Sequence, residues 1–337
     1  VRLLVTGGAG FIGSNYVHFV LEEHPEDSIA VLDKLTYAGN PANLEDVRDR
    51  IEFHQGDIAD PAIAGELVAS VDAVVNFAAE THVDRSIEDA DAFIRTNVQG
   101  TKTLLEAARG RPGCRYLQVS TDEVYGAVLA GHSKESDALD PRSPYSAAKA
   151  GGDLLVRSYF VSYGLDAVIT RGANTIGPCQ YPEKVVPLFV TNAMDGLPLP
   201  IYGQGVAKRD YVYVRDHCEA IDLVLRRGTP GEIYNIGASR ELNTHDVADR
   251  ILALLGKPSS LKRLVEDRPG HDLRYSVDWS KLAGLGWQPR HSLEDTFAQT
   301  VAWYQSNEPW WRHIKSGEFA AYYDRMYAQR LAHSSAG

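Results

Sequence analysis

A doubly wound α/β fold, one parallel sheet covered by helices on both faces, is what this chain predicts, and three observations carry the prediction. Short apolar runs recur through the first half, at Leu3 to Thr6, Ile29 to Leu32, Ile51 to His54, Ala73 to Phe77 and Tyr116 to Val119, with helical stretches between them. A parallel neighbour is reached only through a long right-handed crossover, and a helix fills it. A glycine-rich turn, TGGAGFIGS, follows the first run directly. Finally, 337 residues at 44% hydrophobic and 23% charged give about two domains with ample core.

Taken in order, the first run, the glycine turn and a helical pattern from about Ser14 to Glu23 read as strand, tight turn, helix. The second run ends at Asp33. After about Tyr163 the rhythm loosens, with prolines at Pro178, Pro182, Pro187, Pro198 and Pro200 and glycines at Gly203 and Gly205. The division expected is a dinucleotide-binding domain over 1–172 and a smaller mixed α/β substrate domain over 173–337, some segments of which return to the first sheet. The second unit shows helical patterns near Val185 to Met194, Asp216 to Arg226 and Asn243 to Leu255, and strands near Tyr211 to Val214 and Ile233 to Ile236. The stretch from Trp303 to Arg330, with Trp310, Trp311, Tyr322, Tyr323 and Tyr327, is too aromatic for a disordered linker and is expected to pack on the body or on a partner subunit.

Composition excludes several classes. Lys+Arg 34 against Asp+Glu 45 leaves a net charge of -11, which opposes binding to nucleic acid or to an anionic membrane. An anionic ligand must therefore meet locally concentrated cations. Cys114, Cys179 and Cys218 are scattered and odd in number, unlike a disulfide or zinc framework, so a reducing cytoplasm and no metal are expected. With neither an apolar leader pattern nor an apolar run of about 18 residues, secretion and membrane insertion are not expected.

Gly7, Gly10 and Gly13 let the backbone turn tightly and approach a pyrophosphate aimed at the following helix N-terminus. Twenty residues on, Asp33 ends the next strand, where a carboxylate accepts hydrogen bonds from the adenosine ribose and repels a 2'-phosphate, favouring NAD over NADP. Lys34 weakens that preference. Asp57 and Ile58 are placed to meet the adenine, although Asp57 equally suits a helix cap. The first unit thus reads as a Rossmann domain.

Tyr145 and Lys149 stand i, i+4 at the start of a helix opened by Ser143 and Pro144, so they share a face. A phenol with a pKa near 10 needs about 4 kcal/mol of help to act as a base at neutral pH, and an ammonium beside a cationic nicotinamide ring is placed to give it. The run Tyr116 to Ser120 leads into Thr121-Asp122-Glu123 at a strand's carboxyl end, where doubly wound sheets bind ligands. Two adjacent carboxylates there form either a solvated turn or a general acid and a general base.

The stretches TGGAGFIGSN, VLDKLTYAGN, AAETHVDRSI, STDEVYG, SPYSAAKAG, PEKVVPLF, KRDYVYVRDH, RPGHDLRYSVD and SGEFAAYYDRMYAQR resemble the extended short-chain dehydrogenase/reductase superfamily and, within it, the dTDP-glucose 4,6-dehydratases. The resemblance runs over nearly the whole chain. It implies NAD contacts from Gly7, Gly10, Phe11, Ile12, Gly13, Asp33, Lys34, Thr36, Gly39, Asp57, Ile58, Ala78, Ala79, Tyr145 and Lys149. Tyr145 would take the glucose C4 hydroxyl proton as hydride leaves to NAD, with Thr121 sharing that oxygen. Glu123 would remove the C5 proton while Asp122 protonates the departing C6 hydroxyl, and the hydride would return to C6.

Substrate anchoring is implied for Thr81, His82, Asn174, Lys184, Val185, Tyr202, Arg209, Arg268, His271 and Tyr275. Arginine suits a diphosphate because its planar fork donates two charge-assisted hydrogen bonds. The chain departs from the family's pattern at Asn174-Thr175-Ile176, where two asparagines and a tyrosine are usual, so an amide and a phenol are missing near the substrate. The resemblance also implies a homodimer joined through helices of the cofactor domain. Competing readings are another nucleotide-sugar 4,6-dehydratase, a 4-epimerase, which has no task for Asp122 and Glu123, and a nucleotide-sensing module that has lost catalysis.

Overall fold

A computed structural model describes residues 1–267, 270–332 and 335–336. In chain order the elements are β1 (Arg2–Thr6), α1 (Phe11–Glu23), β2 (Ser28–Asp33), β3 (Ile51–Gln55), α2 (Pro61–Ala69), β4 (Ala73–Asn76), α3 (Val83–Glu88), α4 (Asp91–Phe93), α5 (Thr101–Arg109), β5 (Arg115–Thr121), α6 (Pro144–Tyr163), β6 (Ala167–Gly172), β7 (Asn174–Ile176), α7 (Val185–Asp195), β8 (Leu199–Tyr202), β9 (Lys208–Tyr213), α8 (Val214–Arg227), β10 (Ile233–Ile236), β11 (Glu241–Asn243), α9 (Thr244–Leu255), β12 (Lys262–Val265), α10 (Ser280–Ala283), α11 (Leu293–Ser306), α12 (Glu308–Lys315), α13 (Glu318–Ala332) and β13 (Ser335–Ala336). A π-helical segment, Ile94–Gly100, joins α4 to α5.

The main sheet has seven strands in the order β10-β6-β5-β4-β1-β2-β3, every pair parallel. Its strands are apolar throughout because both faces are covered. Leu3 and Val5 join the core beneath α1 and α8, whereas Leu4 joins the one beneath α2, α5 and α6. Each such fully buried side chain contributes about 1.5–3 kcal/mol. Strand order reverses between β1 and β4, which opens a crevice at their carboxyl ends.

One strand lies beyond the expected elements, and one expected strand, near Ile233 to Ile236, returns to the first sheet. β6 (AVITRG) falls just past the point where the rhythm loosens, and it pairs with β5 from Tyr116↔Ala167 to Thr121↔Gly172. β10 comes from residues 233–236 and closes the sheet's edge beside β6.

The remaining chain forms two small sheets, β11-β9-β7 and β13-β12-β8, against α7, α9 and the last three helices. The aromatic stretch packs on the body: Trp311 is fully buried and donates to the Tyr304 carbonyl (2.9 Å), and Trp310 Nε1 reaches Asn43 Oδ1 (2.8 Å) in the cofactor unit. Among the described residues no helix is long and apolar enough to cross a membrane.

Candidate active site

The glycine turn is shaped by contact. Gly7 adopts φ +69°, and a Cβ there would lie 2.6 Å from the Ala78 nitrogen; one on Gly13 would lie 2.2 Å from the Gly7 carbonyl oxygen. Only hydrogen fits at either place. Gly10 starts α1 with no side-chain cap, and no acidic residue occupies the first turn, so its free N–H groups and positive dipole end face the crevice uncontested. This is the donor set a pyrophosphate needs.

Asp33 at the end of β2 accepts from the Ala9 N–H (2.9 Å) and the Leu35 N–H (2.8 Å), tying the glycine turn to the next loop. Burial pushes its carboxyl up, and the two amides pull it back. Each carboxylate oxygen keeps a second acceptor site for a ribose hydroxyl. Asp57 meets Lys34 (3.0 Å) and Arg95 (3.2 Å) and accepts from the Ala59 N–H; the cap of α2 is Asp60 instead. Every residue expected to hold NAD lines this one cleft.

Tyr145 and Lys149 enter the cleft from α6. Its start is fixed by a capping box, with Ser143 Oγ accepting from the Ser146 N–H and Ser146 Oγ from the Ser143 N–H, and by Pro144 in the first turn; its end is Gly164 at φ +67°. Thr121 caps the turn Asp122–Tyr125, accepting from the Glu123 N–H (3.3 Å), and is hydrogen-bonded to Tyr145.

The two adjacent carboxyl groups differ in burial. Asp122 is 3% exposed, and burial together with the Glu123 charge raises its pKa from 3.8 to about 8, against the pull of Arg209. Glu123 is half-buried. One member of the pair is thus a protonated acid at neutral pH, in the arrangement a general acid requires.

Burial holds the Tyr145 phenol well above its ordinary value, and the Glu123 and Asp122 charges push the same way. The expected relief from Lys149 is not seen. Its ammonium donates to the Val119 carbonyl (2.6 Å), and burial lowers its pKa to about 8, opposed by Asp153.

The residues expected to anchor substrate divide. Thr81, Asn174 and Lys184 line the cleft, and Lys184 Nζ donates to the Thr81 carbonyl at 2.7 Å. Arg209 and Tyr275 stack at 4.2 Å and border the carboxylates, since Arg209 acts on Asp122 and Glu123 acts on Tyr275. His82, buried at the start of α3, meets Tyr322 edge-on. Tyr202 lies 6.2 Å from His271 and bonds Tyr327 and Arg330 of α13. Val185 packs against the core of the second unit, and Arg268 lies outside the described residues.

Of the two departures from the familial pattern, Thr175 lines the cleft, donating to the Ala173 carbonyl and hydrogen-bonded to His217 Nδ1 (2.5 Å), whereas Ile176 is buried in the second core rather than at the site.

Sequence reasoning missed Glu183, which lines the cleft and is buried. It accepts from Tyr37 (2.9 Å) and from Arg85 (3.1 Å), whose guanidinium lies 3.9 Å over Tyr37 and 4.4 Å over Tyr322. Its place beside Lys184 in PEKVVPLF was the available signal.

Comparison with known proteins places this geometry. The family model described as GDP-mannose 4,6 dehydratase matches residues 4–300. The dTDP-glucose 4,6-dehydratase of Streptomyces niveus is 48% identical over 327 residues, covering 95% of this chain and 97% of the relative. The crystal structure of DesIV, a dTDP-glucose 4,6-dehydratase from Streptomyces venezuelae with NAD bound, superposes with a TM-score of 0.91 at 51% identity, over 94% of this chain and all of that one. A UDP-glucose 4-epimerase from Thermus thermophilus, also complexed with NAD, is 32% identical with a TM-score of 0.84, over 91% of this chain and 100% of the other. The chain therefore belongs to the GDP-mannose 4,6 dehydratase family and, within it, groups with the dTDP-glucose 4,6-dehydratases.

Proposed function

We propose that the chain is an NAD-dependent hydro-lyase that converts dTDP-glucose into dTDP-4-keto-6-deoxyglucose. The observation that carries this reading is the adjacent pair Asp122 and Glu123, of which burial keeps Asp122 protonated up to about pH 8, beside a buried tyrosine on the same cleft. When bound, NAD supplies a cationic ring beside the phenol and a reversible acceptor for the C4 hydride, returned at C6, so the net change is loss of water.

The protein's own groups do the rest. Tyr145 takes the proton of the C4 hydroxyl while Thr121 holds the same oxygen. The 4-ketone makes the C5 hydrogen acidic, Glu123 removes it, and the electron pair left on C5 expels the C6 hydroxyl as water with the proton from Asp122; when the hydride is delivered to C6, Glu123 returns its proton to C5. Lys149 lines the same cleft with its ammonium on the Val119 carbonyl, so the cationic ring of bound NAD is what would favour the Tyr145 phenolate. The NAD contacts are those expected from Gly7 through Ala79 along the cleft. Lys184, Arg209, Arg268 and His271 supply cations or donors to the diphosphate, and Thr81, His82, Asn174, Val185, Tyr202 and Tyr275 shape the sugar and nucleoside subsites.

The assembly is a homodimer in the cytoplasm. Leu154 and Val161 lie one heptad apart on α6, 60% and 68% exposed, and apolar side chains so exposed on one helix face seek cover. The three cysteines are free thiols, which suits a reducing compartment. Sedimentation of a Leu154→Glu/Val161→Glu variant as a monomer supports the dimer, and a monomeric wild type rejects it.

A 4-epimerase would use Tyr145 and Lys149 but leave Asp122 and Glu123 without work. Incubation with dTDP-glucose and product identification by NMR decides: a 4-keto-6-deoxy sugar supports dehydration, and dTDP-galactose or unchanged substrate rejects it.

A further inference from the structure

The helix face that carries Tyr145 and Lys149 continues one turn to Asp153, and all three side chains are buried, Asp153 to 1% exposure. A carboxylate so deep needs a charged partner. It has Arg171 of β6, whose Nε donates to Asp153 Oδ2 at 2.9 Å and which is itself buried. Arg171 lies 4.8 Å over the Tyr125 ring, and Tyr125 donates to Asn235 of β10 (2.8 Å). Ser120, at the end of β5 next to Thr121, is a further polar neighbour of Asp153. The pair therefore joins α6, β5, β6 and β10 directly beneath the catalytic tyrosine and lysine.

Burial disfavours the Lys149 ammonium, and Asp153 is the one charge that favours it. The other ionisable groups around α6 are engaged elsewhere. Asp122 and Glu123, after β5, bear on Tyr145 and raise its phenol, as Asp153 also does less strongly; Tyr116 of β5 donates to Gln118; Glu106 of α5 accepts from Tyr159; Arg85 of α3 pairs with Glu183; and His217 of α8 bonds Thr175.

We propose that Asp153 is a positioning residue for the Tyr145–Lys149 couple: its buried carboxylate, clamped by Arg171, anchors the Lys149 ammonium electrostatically from the turn below. Burial pushes the Asp153 carboxyl up, and Arg171 opposes that shift and orients the group, so the two residues act as one unit. This rests on the reading of the cleft as a dehydratase site, but its test does not.

The holoenzyme, labelled with 13C-lysine and free of sugar nucleotide, is titrated by NMR, with Lys149 assigned from the signal missing in Lys149→Met. Asp153→Asn alone leaves Arg171 buried and uncompensated and is prone to unfolding, so the deciding variant is Asp153→Asn/Arg171→Met, which removes both charges together. The expected result is a Lys149 midpoint about one pH unit or more below wild type, equivalent to about tenfold less ammonium above that midpoint. The alkaline limb of C4 oxidation moves the same way, and Asp153→Glu retains most of the wild-type midpoint. An identical midpoint in wild type and double variant overturns the proposal. Because the titration needs no sugar, failure of dTDP-glucose turnover with a normal midpoint shift rejects the functional reading and leaves the positioning role standing.

Discussion

The cofactor half of the cleft is built from backbone, and the substrate half from side chains. At Gly7 and Gly13 an added carbon would meet main-chain atoms of Ala78 and Gly7 within 2.6 and 2.2 Å, and the α1 N-terminus offers bare N–H groups. Across the cleft, Lys184, Arg209 and Tyr275 arrive from the start of α7, from β9 and from the loop after β12; Lys184 is held by the Thr81 carbonyl, and Arg209 lies over the Tyr275 ring. A backbone site admits no compromise at its glycines, whereas a side-chain site loses one contact at a time. Substitutions in the two halves should therefore fail differently, and the chemistry at their seam should fail most.

At the seam, Glu123→Gln is expected to slow dehydration by about 10²–10⁴-fold while the absorbance of reduced cofactor still rises after mixing with dTDP-glucose. Tyr145→Phe should abolish that rise as well. Unchanged turnover in Glu123→Gln would remove the residue from the mechanism.

In the cofactor half, Gly13→Ala should cost about 1–3 kcal/mol of packing and weaken NAD binding, measured by calorimetry, with the melting temperature falling in parallel. Wild-type affinity in that variant would mean the glycine turn yields, and the contrast between halves would fail.

In the substrate half, Arg209→Met should raise KM for dTDP-glucose about ten- to hundredfold with kcat changed far less and NAD affinity intact, because a charge-assisted contact made equally in ground and transition states is lost. A fall in kcat alone would reassign Arg209 to setting the protonation of Asp122.

The smallest effect concerns stability. The Asp122 carboxyl ionises near 3.8 when unfolded and near 8 when folded, so folding takes up a proton between those values and stability falls as pH rises through that window. Asp122→Asn removes this dependence and should be more stable than wild type by about 1 kcal/mol at pH 7, the buried amide's own unpaired donors offsetting the rest. Equal slopes of denaturation midpoint against pH in the two proteins would contradict the buried acid. Wild-type dehydration should also decline above about pH 8 as the acid proton is lost.

How far the sequence could be read follows the same divide. Strand, glycine turn, helix and Asp33 are set by local spacing and were legible there, whereas Phe11, Ile12, Thr36, Gly39, Ala78 and Ala79 were expected only from the family resemblance; all of them line the cleft. β6 was obscured because Arg171 and Gly172 interrupt an apolar run just before a proline-rich stretch, although Arg171 has a buried partner in Asp153. Tyr202 and His271 depend on α13 and on contacts between segments far apart in the chain, which no local pattern encodes. The raised carboxyl of Asp122 was invisible for a similar reason: it depends on how deeply the chain packs around that residue. Lys149 was expected to act on Tyr145 from its i, i+4 spacing, yet burial and the Val119 carbonyl direct its ammonium elsewhere.

The central claim is that the hydride removed at C4 returns within the same molecule after water has left. The most direct test is turnover of dTDP-glucose carrying deuterium at C4, with the product read by NMR and mass spectrometry. The account predicts that the label appears at C6 of the 4-keto-6-deoxy sugar without exchange into solvent. Label retained at C4, or lost to water, would contradict it.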